Sequence, residues 1–121
     1  MFGLFGKQSK LPENWSTIES IQQLEAVDKQ SFNQPIVLFK HSTTCSISAM
    51  AKARLESASD GETPQLYYLD LLAHRDVSNA IADKYGIRHE SPQVIVVQNG
   101  KAMYNASHGA INMNDLIIQT K

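Results

Sequence analysis

The stretch LFKHSTTCSISAMAKARLE, residues 38–56, holds the only cysteine of the chain, Cys45. A thiol works as its thiolate, which attacks a disulfide sulfur and leaves a mixed disulfide. The residues around Cys45 suit that chemistry. Ser42, Thr43, Thr44, Ser46 and Ser48 are small and hydroxylated. Hydroxyls can donate to a thiolate, and small side chains leave room for an approaching sulfur. Lys40 and His41 precede the loop and are sources of positive potential, although strand alternation alone does not say which of them points to the thiol. The plainer alternative is that a lone cysteine is a small buried hydrophobe.

A second thiol is missing where a two-thiol exchanger has one. Redox pairs are spaced C-x-x-C, whereas this segment reads Cys45-Ser46-Ile47-Ser48. Exchange by this chain alone therefore stops at a mixed disulfide, and release needs an outside thiol. Ser48 either donates to the thiolate or is a first-turn helix residue, and the sequence leaves both open. One cysteine makes no internal disulfide, which fits a reducing cytosol.

The elements that must position Cys45 follow from periodicity. Residues 1–14 read as an N-terminal arm, with Phe2 and Phe5 tucked against the domain or frayed, and 15–121 as a single domain. Ser16-Thr17-Ile18-Glu19 fits a capping box, and Ile18, Ile21, Leu24 and Val27 carry a helix to about Phe32. Ile36–Phe39 is an apolar run of the kind covered on both faces. After the loop at 41–45, Ile47, Met50, Ala51, Leu55 and Ala58 keep helical spacing, interrupted by Arg54. Gln65–Leu69 is the next strand. Val77, Ala80, Ile81 and Tyr85 mark a helix that Gly86 stops. Val94–Val97 is a buried strand, and Asn99-Gly100 predicts a tight hairpin into an edge strand at 101–106. A last helix covers about 112–119, capped by Asn112 or Asn114, with Met113, Leu116 and Ile117 facing inward.

The order α-β-α-β-α-β-β-α predicts a three-layer α/β/α domain of thioredoxin-like type. Its sheet is mixed and mostly parallel, with a C-terminal β-hairpin plus helix. Cys45 then caps the helix after the first clear strand, at the carboxyl end of that strand, where α/β ligand sites form. Unsatisfied N–H groups and partial positive charge there favour a thiolate. In such a fold Ser91-Pro92, just before the strand at 93–98, is expected to be cis and to face the cysteine loop. The residue before the proline would offer its backbone to an extended substrate strand.

Composition narrows the partners. Net charge is −1, from 11 basic and 12 acidic residues, which leaves no electrostatic footprint for nucleic acid or an anionic membrane. No apolar run approaches the roughly 20 residues of a membrane span. The opening MFGLFGKQSK makes a poor signal peptide, because no charge precedes its apolar part.

The segments FKHSTTCSIS (39–48), YLDL (68–71), RDVSN (75–79), HESPQ (89–93) and ASH (106–108) resemble the monothiol bacilliredoxins, the YtxJ-type proteins of the bacillithiol system. The likeness runs from about Trp15 to the last helix. TCSIS followed by HESPQ is its specific combination. The resemblance implies a cytoplasmic thioredoxin-like protein with no cofactor and with bacillithiol as co-substrate. It implies that Cys45 attacks protein–S–S–bacillithiol, frees the protein thiol and becomes bacillithiolated. Bacillithiol or another recycling thiol or reductase then resets it. Thr44, Ser46, Ser48 and His41 would support the loop, and Ser91 and Pro92 would meet the substrate. Bacillithiol carries malate carboxylates, which Arg75, Arg88, Lys40 or His89 would receive by charge-assisted hydrogen bonds; otherwise these are solvated surface groups.

Three other readings stay open. A monothiol-glutaredoxin-like iron–sulfur carrier also uses one cysteine followed by x-Ser, but this loop lacks the glycine that makes room for a cluster. A non-enzymatic redox sensor or partner-binding module would be oxidised without turnover. A metal site could draw on His41, Cys45, His74, His89 and His108, but no pair has a tight ligand spacing, so no metal is expected.

Overall fold

All six residues of Ile36–His41, strand β2, are buried. Alternate side chains of a strand point to opposite faces, so β2 needs cover on both. Val37 and Phe39 pack with Ala51, Leu55, Trp15, Leu116, Val94 and Val96 in one cluster. Ile36 and Leu38 pack with Leu24, Val27, Val77, Ile81, Ile95 and Val97 in the other. The structure, a computed structural model, describes residues 11–121.

The elements are β1 (Trp15–Thr17), α1 (Ile21–Gln30), β2, α2 (Ser46–Ala58), β3 (Leu66–Asp70), α3 (Arg75–Tyr85), β4 (Gln93–Gln98), β5 (Lys101–Ser107), a 3-10 turn (His108–Ala110) and α4 (Met113–Gln119). They build the expected three layers around one sheet of order β1-β3-β2-β4-β5. The sheet is mixed but not mostly parallel. β1/β3 and β2/β3 are parallel, while β2/β4 and β4/β5 are antiparallel. The reason lies after α3. That helix ends beside α1, where the Tyr85 hydroxyl donates to Asp28. The segment 86–92 then climbs back along the sheet before β4 starts, so β4 runs against β2.

The chain start also differs from expectation. Trp15–Thr17 is an edge strand and not the head of a helix. The Trp15 ring stacks on Tyr68 and meets Phe39 edge-on, at centroid distances of 6.4 and 6.0 Å. Its indole N–H donates to Ser59 Oγ at 2.9 Å. Burying this ring needs extended backbone, which overrides the capping pattern at Ser16. The real box sits four residues on: Ser20 Oγ accepts from Gln23 N, and Gln23 Oε1 accepts from Glu19 N. The helix ends at Gln30, short of Phe32. Of the expected arm, residues 1–10, with Phe2 and Phe5, lie outside the described residues, while Leu11 packs on the core and Asn14 Nδ2 donates to the Thr63 and Pro64 carbonyls.

The other boundaries follow the sequence closely. Gly86 ends α3 in the left-handed region at φ 65. Asn112 caps α4, accepting from Asp115 N at 2.9 Å. Asn99 and Gly100 both have positive φ, 54 and 74, as a type I′ hairpin requires. A Cβ on Gly100 would stand 2.9 Å from the Phe32 ring. Gly100→Ala is therefore expected to cost about 2 kcal/mol in urea unfolding, from backbone and contact together. Phe32→Ala in the same chain should recover only the contact part. Gly61→Ala, whose nearest neighbour is 3.9 Å away, should be near neutral.

Candidate functional site

Register decides which loops meet. His41 lies opposite Asp70 of β3, Lys40 opposite Gln93 of β4, and Gln93 opposite Ser107 of β5. The loop after β2, the loop after β3, the segment before β4 and the turn after β5 thus share one end of the sheet. Cys45, Ser91–Pro92, His89 and Arg75 are brought to that end together.

Cys45 is the N-cap residue of α2, as expected, and is half-buried. Its N–H donates to the Ser42 carbonyl at 3.3 Å, and its own carbonyl accepts from Ala49 at 3.0 Å. Its side chain makes no capping hydrogen bond, so the thiol stays available at the helix end. Thr44 and Ser46 flank it in exposed positions. Thr44 Oγ1 lies 3.4 Å from Ser42 Oγ, within the loop.

Ser48 resolves one open question. It is fully buried, on the face of α2 that carries Ala51 and Leu55. Its hydroxyl accepts from Ser42 N at 3.0 Å and lies 2.7 Å from His41 Nδ1. Ser48 therefore serves the first helical turn, as a strut under the loop. Loss of that hydroxyl would leave a backbone N–H and an imidazole nitrogen to find other partners.

His41 does not supply the positive potential that its position suggested. It is buried beside Phe39 and Tyr68. Burial, and then the Lys52 charge, lower its pKa against the opposing pull of Asp70, Ser48 and Glu56. The net effect favours the uncharged ring. Lys40 does not face the thiol loop either. It emerges on the opposite face of β2, where its Nζ donates to the Ser78 carbonyl at 3.1 Å and lies 3.2 Å from His89 Nδ1. Burial lowers its pKa to about 8.

The Ser91–Pro92 bond is cis. The Pro92 carbonyl accepts from His108 N at 3.1 Å, and Ser91 Oγ is buried without a partner. Arg75, Arg88 and His89 are exposed. The His89 pKa is lowered by burial, then by Lys40, with Arg75 adding to this and Glu90 opposing it. Among the described residues no group of three or more His, Cys, Asp and Glu side chains could hold a metal ion.

Two features escaped the sequence reading. Arg54, which only broke an apolar stripe there, donates from Nε and Nη2 to the Ile111 carbonyl and from Nη2 to the His108 carbonyl, at 3.1–3.3 Å. It clamps α2 to the turn after β5. Ile47 and Met50, spaced like core residues, are instead 52% and 62% exposed on the first turns of α2. The inward positions are Ser48, Ala51 and Leu55, so a serine holds the place a hydrophobic residue would have marked. A polar residue in an apolar period was the available signal.

A family model described as monothiol bacilliredoxin BrxC matches residues 16–116. A solved protein described as a candidate oxidoreductase with a thioredoxin fold is 32% identical, with 97% of this chain and 98% of its own covered, at a TM-score of 0.78. A thioredoxin of Nicotiana alata is 18% identical, with 89% and 90% covered, at 0.69. A thioredoxin of Schistosoma mansoni is 15% identical, with 88% and 98% covered, at 0.72. The thioredoxin likenesses establish the fold.

The histidines give a test of the site's electrostatics. His41 and His89 both take up a proton less readily when folded than when unfolded. The unfolded chain then binds more protons below about pH 6.5, so stability is present above that pH and falls as pH drops through it. Urea midpoints measured from pH 7.5 down to pH 5.5 should decline, and His41→Gln should flatten part of the slope. An unchanged slope would remove His41 as a buried neutral ring.

Proposed function

The chain belongs to the monothiol bacilliredoxin family, and on that premise we propose that Cys45 removes bacillithiol from S-bacillithiolated cytoplasmic proteins. The coarser statement, that this is a thiol–disulfide redox protein of thioredoxin fold, rests on the family and on its structural relative. The finer one is carried by one observation. The solitary thiol stands at the N-cap of α2 while Ser48, at the place of a second thiol, is tied up in the loop's own hydrogen bonds.

The Cys45 thiolate attacks the bacillithiol sulfur of a protein–S–S–bacillithiol disulfide. That S–S bond breaks as the new one forms. The substrate protein leaves as a thiolate and takes a proton from water. Cys45–S–S–bacillithiol remains. Ser48 offers no thiol, so a second molecule must attack this disulfide, either free bacillithiol or a recycling reductase. Electrons balance: the substrate cysteine is reduced, Cys45 is oxidised, and the external thiol pays that back. No cofactor takes part, and bacillithiol is co-substrate.

The remaining site residues divide by chemistry. Thr44 and Ser46 line the approach to the sulfur. Ser91, held by the cis bond to Pro92, would offer its backbone to an extended protein segment. Arg75, Arg88 and His89, exposed cations and a ring donor, would receive carboxylates of the small thiol.

Mixing the reduced protein with a bacillithiolated substrate and weighing it intact tests this. The wild type should gain the mass of one bacillithiol, and Cys45→Ala should gain nothing and reduce substrate no faster than buffer. Equal reduction by Cys45→Ala would sink the proposal. Ser48→Cys should release the bound bacillithiol and show an internal disulfide instead. Glutathione mixed disulfides run in parallel report the preference between small thiols.

A further inference from the structure

A buried ammonium costs solvation that an apolar side chain would not, so the placement of Lys40 calls for an account. It is fully buried, and both of its hydrogen-bond partners, the Ser78 carbonyl and His89 Nδ1, are uncharged. An ammonium has no lone pair and can only donate. His89 Nδ1 must therefore accept from Lys40, which leaves the ring proton on Nε2. The Ser78 hydroxyl, 3.4 Å from the same nitrogen, can add a second donor. Burial lowers the Lys40 pKa only to about 8, so the ammonium persists at neutral pH. Lys40, Arg75 and burial together disfavour a second proton on His89, against Glu90.

The segment carrying His89 is held from the same side at a second point. Gln93, the β4 partner of Lys40, is buried, and its Nε2 donates to the Arg88 carbonyl at 3.0 Å. His89 itself remains exposed. One ring nitrogen is thus fixed from below, and among the described residues the ring's only N–H has no hydrogen-bond acceptor and is left for another partner.

We propose that Lys40 is a positioning residue, which locks His89 as the neutral Nε2–H tautomer and so presents one oriented donor to a carboxylate of the small thiol exchanged at Cys45. This deepens the function proposed above and rests on it for the identity of the acceptor. The lock itself stands on the geometry at Nδ1.

Long-range proton–nitrogen correlation of the imidazoles tests the lock, with His89→Gln supplying the assignment. In the wild type at neutral pH, His89 Nδ1 should read as unprotonated and Nε2 as protonated. In Lys40→Met both nitrogens should move toward a common averaged value. Exchange is then followed with mixed disulfides of one peptide carrying either mercaptosuccinate or 2-mercaptoethanol. The preference for the carboxylated thiol should fall about tenfold in Lys40→Met, the scale of losing one hydrogen bond to a charged group. It should fall similarly in His89→Ala, and the double variant with Lys40→Met should lose no more than either alone. A proton on Nδ1 in the wild type overturns the lock even where Lys40→Met fails to fold. So does an unchanged ring in Lys40→Met, and additive losses in the double variant overturn the coupling. Failure of Cys45 to accept either thiol counts against the proposed function, and the nitrogen spectrum still decides the lock.

Discussion

The structure turns on the complete burial of one strand. β2 is covered on both faces along its whole length, and helices packed on either side of the sheet provide that cover. That constraint sets the sheet at the centre and sends the chain out at its carboxyl end into the loop of Cys45. It also imposes a condition on the last two residues of the strand. Lys40 and His41 are polar, yet neither reaches solvent. Each must therefore find partners inside, and because neighbours on a strand diverge, they find them on opposite faces. His41 meets Ser48 of α2, and Lys40 meets Ser78 of α3 and His89. The site is organised by these pairings.

From the His41 side the consequence is a rigid floor. Ser48 links the first turn of α2, the end of β2 and the Ser42 amide through a single hydroxyl. In a two-thiol relative, sulfur at this place would take part in the chemistry. Here oxygen takes part in the architecture. The monothiol character is thus more than the lack of a group, since the place is already filled by a role that the loop depends on.

Much of this was readable in the residues. The two-sided burial of Ile36–Phe39, the Asn99-Gly100 turn, the Gly86 stop and the junction holding Cys45 all rest on local rules of period and φ. What could not be read depends on long-range partners. Three residues of β1 carry no measurable period, and only Tyr68, Phe39 and Ser59 explain why Trp15 is extended. The direction of β4 was hidden because a helix followed by a loop returns the chain to either end of a sheet, depending on how far the loop climbs. Arg54 looked like an interruption because its partners are carbonyls, which every residue has. The orientation of Lys40 and His41 awaited the register that placed Ser78 and Ser48 beside them.

The Arg54 clamp has a mechanical side. During exchange at Cys45 a whole folded protein comes up against the N-terminal end of α2. Any load from that encounter enters the helix at its end, where backbone hydrogen bonds are fewest. Arg54 stands two turns further along and passes the load to the carbonyls of His108 and Ile111, and thus to the turn that joins β5 to α4. The helix is tied to the turn beyond the edge strand as well as packed on the sheet, so its first turn can meet a large partner without the helix peeling away.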